Sequence, residues 1–314
     1  MYLMPVSLSA PSIRLLLLAT MLFFSLYTVR AQEGAIDKSI HKTTVTYSTK
    51  DTVTLKMDIY SNDPITVKKP CIVFVFGGGF ATGQRDAAGY FAYFNALAKH
   101  NFKVVSIDYR LGLQGGKKVS PLNTKPLKEA IDMAVTDLYD ATAYLIKHAE
   151  TLGIDSSAII LSGSSAGAIT ALQADWEKRN EHAIAQILPE SFQYKGVVAF
   201  AGAILSYRGA PTYKIPPAPT MLYHGTKDKI VPFNRVRFFN KIFCGSNYLA
   251  YRFEAEKYPY YFRVMHRMGH EVASTPMHQH IDEVLWFLDE YVIKGKQYLV
   301  QVDFNDLAGR RVSR

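Results

Sequence analysis

Apolar runs separated by amphipathic stretches set the plan of this chain. Residues 71–76 (Cys-Ile-Val-Phe-Val-Phe) and 104–107 (Val-Val-Ser-Ile) are almost continuously apolar, as strands buried on both faces of a parallel sheet should be. Residues 53–60 alternate apolar and polar instead, which predicts a half-exposed antiparallel strand. Further apolar runs at 158–161, 196–201, 220–224 and 262–265 read as strands. Between residues 126 and about 152, Leu127, Ala130, Ile131, Ala134, Leu138, Ala141 and Leu145 recur at helical spacing. Pro126 suits the first turn of that helix and Gly153 its stop. A helix is expected to open at Pro232, with Cys244 near its end, and a final one to run from about 281 to 294 and stop at Gly295. Strands regularly separated by helices predict an α/β domain, a central mostly parallel sheet with helices on both faces. No internal repeat, low-complexity tract or linker interrupts it, and no stretch is long enough to build a large cap domain.

The first 31 residues stand apart. Arg14 precedes an apolar run over residues 15–27, followed by Val29-Arg30-Ala31. A basic start, an apolar run short for a bilayer and a small-residue cleavage site together predict an export signal cut after Ala31, with an uncleaved membrane anchor as the alternative. The expected organisation is therefore a signal segment at 1–31, one α/β domain at 32–295 and a tail of unassigned role at 296–314. The protein is expected to be periplasmic or extracellular, with no stable membrane insertion once the signal is removed.

An apolar fraction of 48% and a charged fraction of 20% over 314 residues are those of a globular protein. The formal charge of +9 is scattered, apart from a local cluster at Lys117, Lys118, Lys125 and Lys128. Without an aromatic-interleaved basic stripe, nucleic acid is not an expected partner. The two cysteines, Cys71 and Cys244, permit a disulfide in an exported chain, but the sequence does not decide whether they meet.

The sharpest chemical signal is Gly163-Ser164-Ser165-Ala166-Gly167, set directly between an apolar strand and the opening of a helix. A G-x-S-x-G at such a turn holds its central serine, here Ser165, with the hydroxyl exposed above the sheet. A serine hydroxyl is a poor nucleophile until a base takes its proton, and that base is best held in one tautomer by a carboxylate. His270 follows the last predicted strand and Asp228 the one before it. Loops after parallel strands open on one edge of the sheet, so Ser165, Asp228 and His270 are expected to converge there. A glycine run, Gly77-Gly78-Gly79, follows the strand that begins at Cys71.

These marks, together with Asp108-Tyr109-Arg110-Leu111 and the run from His224 to Pro232, resemble the α/β-hydrolase fold, and within it the small bacterial esterase/lipase group related to carboxylesterases and carbohydrate esterases. The resemblance spans roughly residues 43–295. It implies a serine esterase working through an acyl-enzyme, with no metal and no cofactor, on a small-molecule or carbohydrate ester, including acyl or feruloyl groups on polysaccharide. By similarity the oxyanion donors are Gly78, Gly79 and Ala166. Phe76 stands where the commonest small esterases carry a histidine before the three glycines. Two other readings share the pattern: a serine peptidase of the same fold, and a non-catalytic binding module on a hydrolase scaffold. The loop at 112–125 and the segment at 206–219 are expected at the rim of the site. Oligomeric state is not readable from the sequence.

Overall fold

The computed structural model describes residues 34–50, 52–64, 67–116, 119–120 and 123–304. The export signal expected at 1–31 lies outside the described residues. Twelve strands are seen among those described: β1 (His41–Lys50), β2 (Val53–Ser61), β3 (Lys69–Val75), β4 (Lys103–Ile107), β5 (Ile154–Ser164), β6 (Gly196–Phe200), β7 (Ala203–Ser206), β8 (Thr220–Gly225), β9 (Arg235–Phe238), β10 (Lys241–Gly245), β11 (Tyr260–Met265) and β12 (Leu299–Val302). The helices are α1 (Phe91–Lys99), α2 (Lys125–Lys147), α3 (Ala149–Leu152), α4 (Ala166–Arg179), α5 (Ser246–Glu256), α6 (Pro276–Gln279) and α7 (Ile281–Phe287), the last continued by a π-helical turn over Leu288–Ile293.

Nine strands form one sheet in the order β1-β2-β4-β3-β5-β6-β8-β11-β12. The alternating segment, β2, pairs antiparallel with both β1 and β4. All other neighbours are parallel. The continuously apolar β3 and β4 are buried along nearly their whole length, because helices cover both faces: α2 and α4 pack together on one, α1 meets α6 and α7 on the other. Aromatic edges fill the gaps between layers, as with Phe74 and Phe94 at 5.1 Å between ring centres. Each such ring, fully buried, is worth roughly 1.5–3 kcal/mol.

Two expectations are overturned between β8 and β11. Pro232 does not open a helix; it lies in turns that lead into the hairpin β9–β10, and the helix begins later, at Ser246. Cys244 is accordingly on a strand ahead of that helix rather than at the end of one. The hairpin pairs with β7 to make a second, three-stranded antiparallel sheet. Beyond Gly295, β12 extends the main sheet parallel to β11. Cys71 and Cys244 are both free and buried.

Candidate active site

The carboxyl ends of β5, β8 and β11 carry the three residues the sequence singled out. β5 ends at Ser164, and the chain turns sharply through Ser165, which takes φ 52° and ψ −115° before α4 begins. That left-handed conformation is costly for a residue with a Cβ. Close packing enforces it: a Cβ on Gly167 would lie 1.9 Å from the carbonyl oxygen of Val75, so only glycine lets the new helix start against β3. The Ser165 N–H donates to the carbonyl of Phe200 at 2.8 Å, tying the turn to β6.

Asp228 and His270 are brought together by register. β8 and β11 pair with Gly225 opposite Met265, so the loops that leave them emerge side by side. The loops are then stitched: Lys227 N–H donates to the Met268 carbonyl at 2.9 Å, Thr226 N–H to Met265 at 3.1 Å, and Arg267 N–H to the Thr226 hydroxyl at 3.0 Å. His270 begins a 3₁₀ turn, His270–Ala273.

The result is one hydrogen-bonded chain. Ser165 Oγ lies 2.7 Å from His270 Nε2, and His270 Nδ1 lies 2.7 Å from Asp228 Oδ2. The other carboxylate oxygen, Oδ1, accepts from the N–H groups of Ile230 and Val231 at 2.8 and 3.0 Å. An ionised carboxylate only accepts, so the Nδ1 facing it carries a proton and Nε2 is left to face the serine. The Asp228 side chain has no exposed surface. Burial by itself raises its pKa, but hydrogen bonds from His224, His270 and the two backbone N–H groups outweigh that and hold the carboxyl well below the usual carboxylate range.

His224 is a member of this site to which sequence reasoning gave no role. It is fully buried at the end of β8. Its Nδ1 is 2.8 Å from the Ser246 hydroxyl, and its Nε2 is 3.2 Å from the Val231 carbonyl and 3.3 Å from Asp228 Oδ2. A histidine four residues before the aspartate, on an otherwise apolar strand, was the available signal.

The glycine loop lies over the elbow. The Gly77 N–H donates to the Tyr90 hydroxyl at 3.1 Å. Phe76 packs on Tyr109 with ring centres 4.4 Å apart and the planes tilted by 32°, and the Tyr109 hydroxyl donates to the Phe76 carbonyl at 3.0 Å. The run that begins at Asp108 thus supports the glycine loop, while Arg110 is anchored to buried Asp137 on α2. Gly78 takes φ +128°, and a Cβ there would lie 2.1 Å from the Thr82 carbonyl oxygen. Neither Gly78 N–H nor Gly79 N–H is spent on another backbone group among the described loops, and Ala166 is the first residue of α4, where N–H groups have no partner within the helix.

A cavity of about 640 Å³ lies beside Asp228, which is in its wall; Ser165 and His270 are not among the residues that line it. Val119 and Thr124 from the loop at 112–125 line it, as expected. From the segment at 206–219, Tyr207 reaches the rim, its hydroxyl 2.6 Å from Thr124 Oγ1, while Tyr213 is turned away against Phe253 and Tyr258, 5.9 Å from each. Val236, Ile242 and Phe243 of the hairpin complete the wall. Among the described residues no group of three or more His, Cys, Asp or Glu is arranged to hold a metal. Burial pushes the Cys244 thiol up to about 12 and that of Cys71 higher still, so neither is a competing nucleophile.

Residues 57–205 match the BD-FAE family model. Over 120 residues the chain is 31% identical to Lipase 2 of Moraxella sp. (strain TA144); the match covers 35% of this chain and 24% of that lipase, so it spans about a quarter of the relative's length. Among solved structures, the native esterase Est2 of Thermogutta terrifontis superposes with a TM-score of 0.58 at 19% identity, covering 82% of this chain and 94% of the other. The same esterase phosphoramylated by tabun gives 0.59 at 20%, with 81% and 94% covered. Its propionate-bound form gives 0.58 at 19%, with 82% and 96% covered. The fold is that of the α/β-hydrolases.

Proposed function

We propose that this chain, which has the α/β-hydrolase fold, is a serine esterase of the esterase/lipase family that cleaves carboxylic esters through an acyl-enzyme. The observation that carries the reading is the relay of two 2.7 Å contacts from Ser165 through His270 to Asp228. His270 Nε2 takes the Ser165 proton as the oxygen attacks the ester carbonyl. Asp228, kept ionised, holds the imidazole in the tautomer that leaves Nε2 free and stabilises the imidazolium that forms. The oxygen that becomes negative is met by the N–H groups of Gly78, Gly79 and Ala166. His270 then returns the proton to the leaving alcohol, and water repeats the sequence on the acyl-serine.

The finer reading is an exported enzyme acting on acyl or feruloyl esters of carbohydrate. The Arg14 and apolar-run pattern ahead of Ala31 supports export. A cavity open at the surface, walled by a short hairpin instead of a cap domain, supports a bulky, exposed ester. The titration of p-nitrophenyl butyrate tests the reaction: a burst of one p-nitrophenol per active site before steady state is expected, and the absence of hydrolysis by wild type removes the reading. Hydrolysis of methyl ferulate and N-terminal sequencing of the secreted product test the finer part.

A further inference from the structure

We infer that the cavity beside Asp228 receives the far end of the substrate and selects esters bearing an anionic group at the end of an apolar body, with Lys229 and Lys241 as the anion-binding residues. The inference rests on the esterase reading and narrows its substrate class.

The cavity wall is chiefly apolar, and two lysines break it, Lys229 from the loop that carries Asp228 and Lys241 from the first position of β10. Neither is paired with a carboxylate among the described residues. Other lysines of the fold are: Lys42 with Asp58, Lys50 with Asp140, Lys128 with Asp132. Lys241 is also held in place. Its ammonium sits 5.2 Å from the centre of the Tyr207 ring, and the Tyr207 hydroxyl is fixed by Thr124 Oγ1 at 2.6 Å. An ammonium over an aromatic face is attracted to the ring yet keeps its donors free. The acid in the wall does not offset these charges. The Asp228 side chain is fully buried and engaged with His270, His224 and two backbone N–H groups. Lys229 is exposed and Lys241 half-buried, so their charges are partly screened by water but reach a ligand lying along the apolar wall. A plain aliphatic ester would fill the apolar wall and leave both lysines without a partner; a carboxylate at its far end engages them.

The test compares esters of matched skeleton with and without a carboxylate. Mono-p-nitrophenyl glutarate and p-nitrophenyl valerate differ by an anion on the acyl side; 4-acetoxybenzoate and phenyl acetate differ by one on the alcohol side. For each pair the ratio of kcat/KM, anionic over neutral, is measured in wild type and in the Lys229→Gln/Lys241→Gln variant, at low salt and at near-molar NaCl. The ratio of one pair is expected to fall about fivefold in the double variant, the scale of a partly exposed charge pair, and wild type is expected to lose the same preference in high salt. A fall in the first pair puts the anion on the acyl side, a fall in the second on the alcohol side. Lys241→Glu should invert the preference. Ratios that move with neither the variants nor salt, while all four esters are cleaved, overturn this inference alone. Wild-type protein that cleaves none of them overturns the esterase reading and the inference with it.

Discussion

Ser164 and Ser165 both reach the turn that carries His270, and they do different things there. Ser165 faces the imidazole, whereas the Ser164 hydroxyl donates to the Ala273 carbonyl at 2.8 Å. Ser165→Ala should abolish ester hydrolysis with the fold intact. Ser164→Ala should cost about 1 kcal/mol of stability for the lost buried hydrogen bond and retain activity; thermal unfolding and a p-nitrophenyl ester assay on both variants check the pair, and a dead Ser164→Ala would shift the nucleophile by one residue. Asp228 carries a stability signature as well. Its folded pKa is depressed by its donors, so its ionised form stabilises the fold fully at pH values above the ordinary aspartate pKa of about 3.9. That contribution shrinks as pH falls below this value toward the lowered folded pKa. The stability gap between wild type and Asp228→Asn should therefore be flat at neutral pH and narrow in acid. A gap that widens on acidification contradicts the hydrogen-bonding account.

At the scale of elements, the glycine loop and the hairpin are instructive in opposite ways. Gly78 is confined by a φ of +128° and by the Thr82 carbonyl, while a Cβ on Gly79 would meet nothing within 4 Å although φ there is +62°. Gly78→Ala should displace the loop and lower kcat by a factor on the order of 10²–10³, the cost of a lost oxyanion donor. Gly79→Ala should cost much less, and equal kcat losses for the two would contradict the role given to Gly78. The strands β3, β4, β5, β8 and β11 were legible because each is an apolar run with little ambiguity. The hairpin was not. Its strands are four and five residues long, charged at Arg235, Arg237 and Lys241, and depend on pairing with β7, some forty residues upstream. Pro232 looked like the first turn of a helix because proline suits that position. Gly245 is the feature that decides the matter: a Cβ there would lie 1.6 Å from the Pro232 carbonyl oxygen. The hairpin therefore folds back onto that proline before α5 can start. The same blind spot concealed one wall of the cavity and Ser246, whose hydroxyl holds His224, so the sequence marked His224 only as the start of the run to Pro232.

For the whole molecule, the sheet is a device for bringing distant segments of chain to one edge, and it continues past the expected end of the domain. β12 closes the exposed side of β11, with the Tyr260 N–H donating to the Tyr298 carbonyl at 3.1 Å. A chain ended at Gly295 should melt at a lower temperature and aggregate more readily than one ended at Phe304, because it bares the edge of the strand leading to His270. Equal melting temperatures would make β12 dispensable. The central claim is that Ser165, His270 and Asp228, drawn from three separate loops, work as one relay. Its most direct test is reaction with an organophosphonate followed by peptide mass mapping of wild type, Asp228→Asn and His270→Asn. The relay predicts one adduct per wild-type chain, located on Ser165, with slow labelling of Asp228→Asn and none on the same timescale for His270→Asn. An adduct on any other residue, or undiminished labelling of His270→Asn, contradicts it.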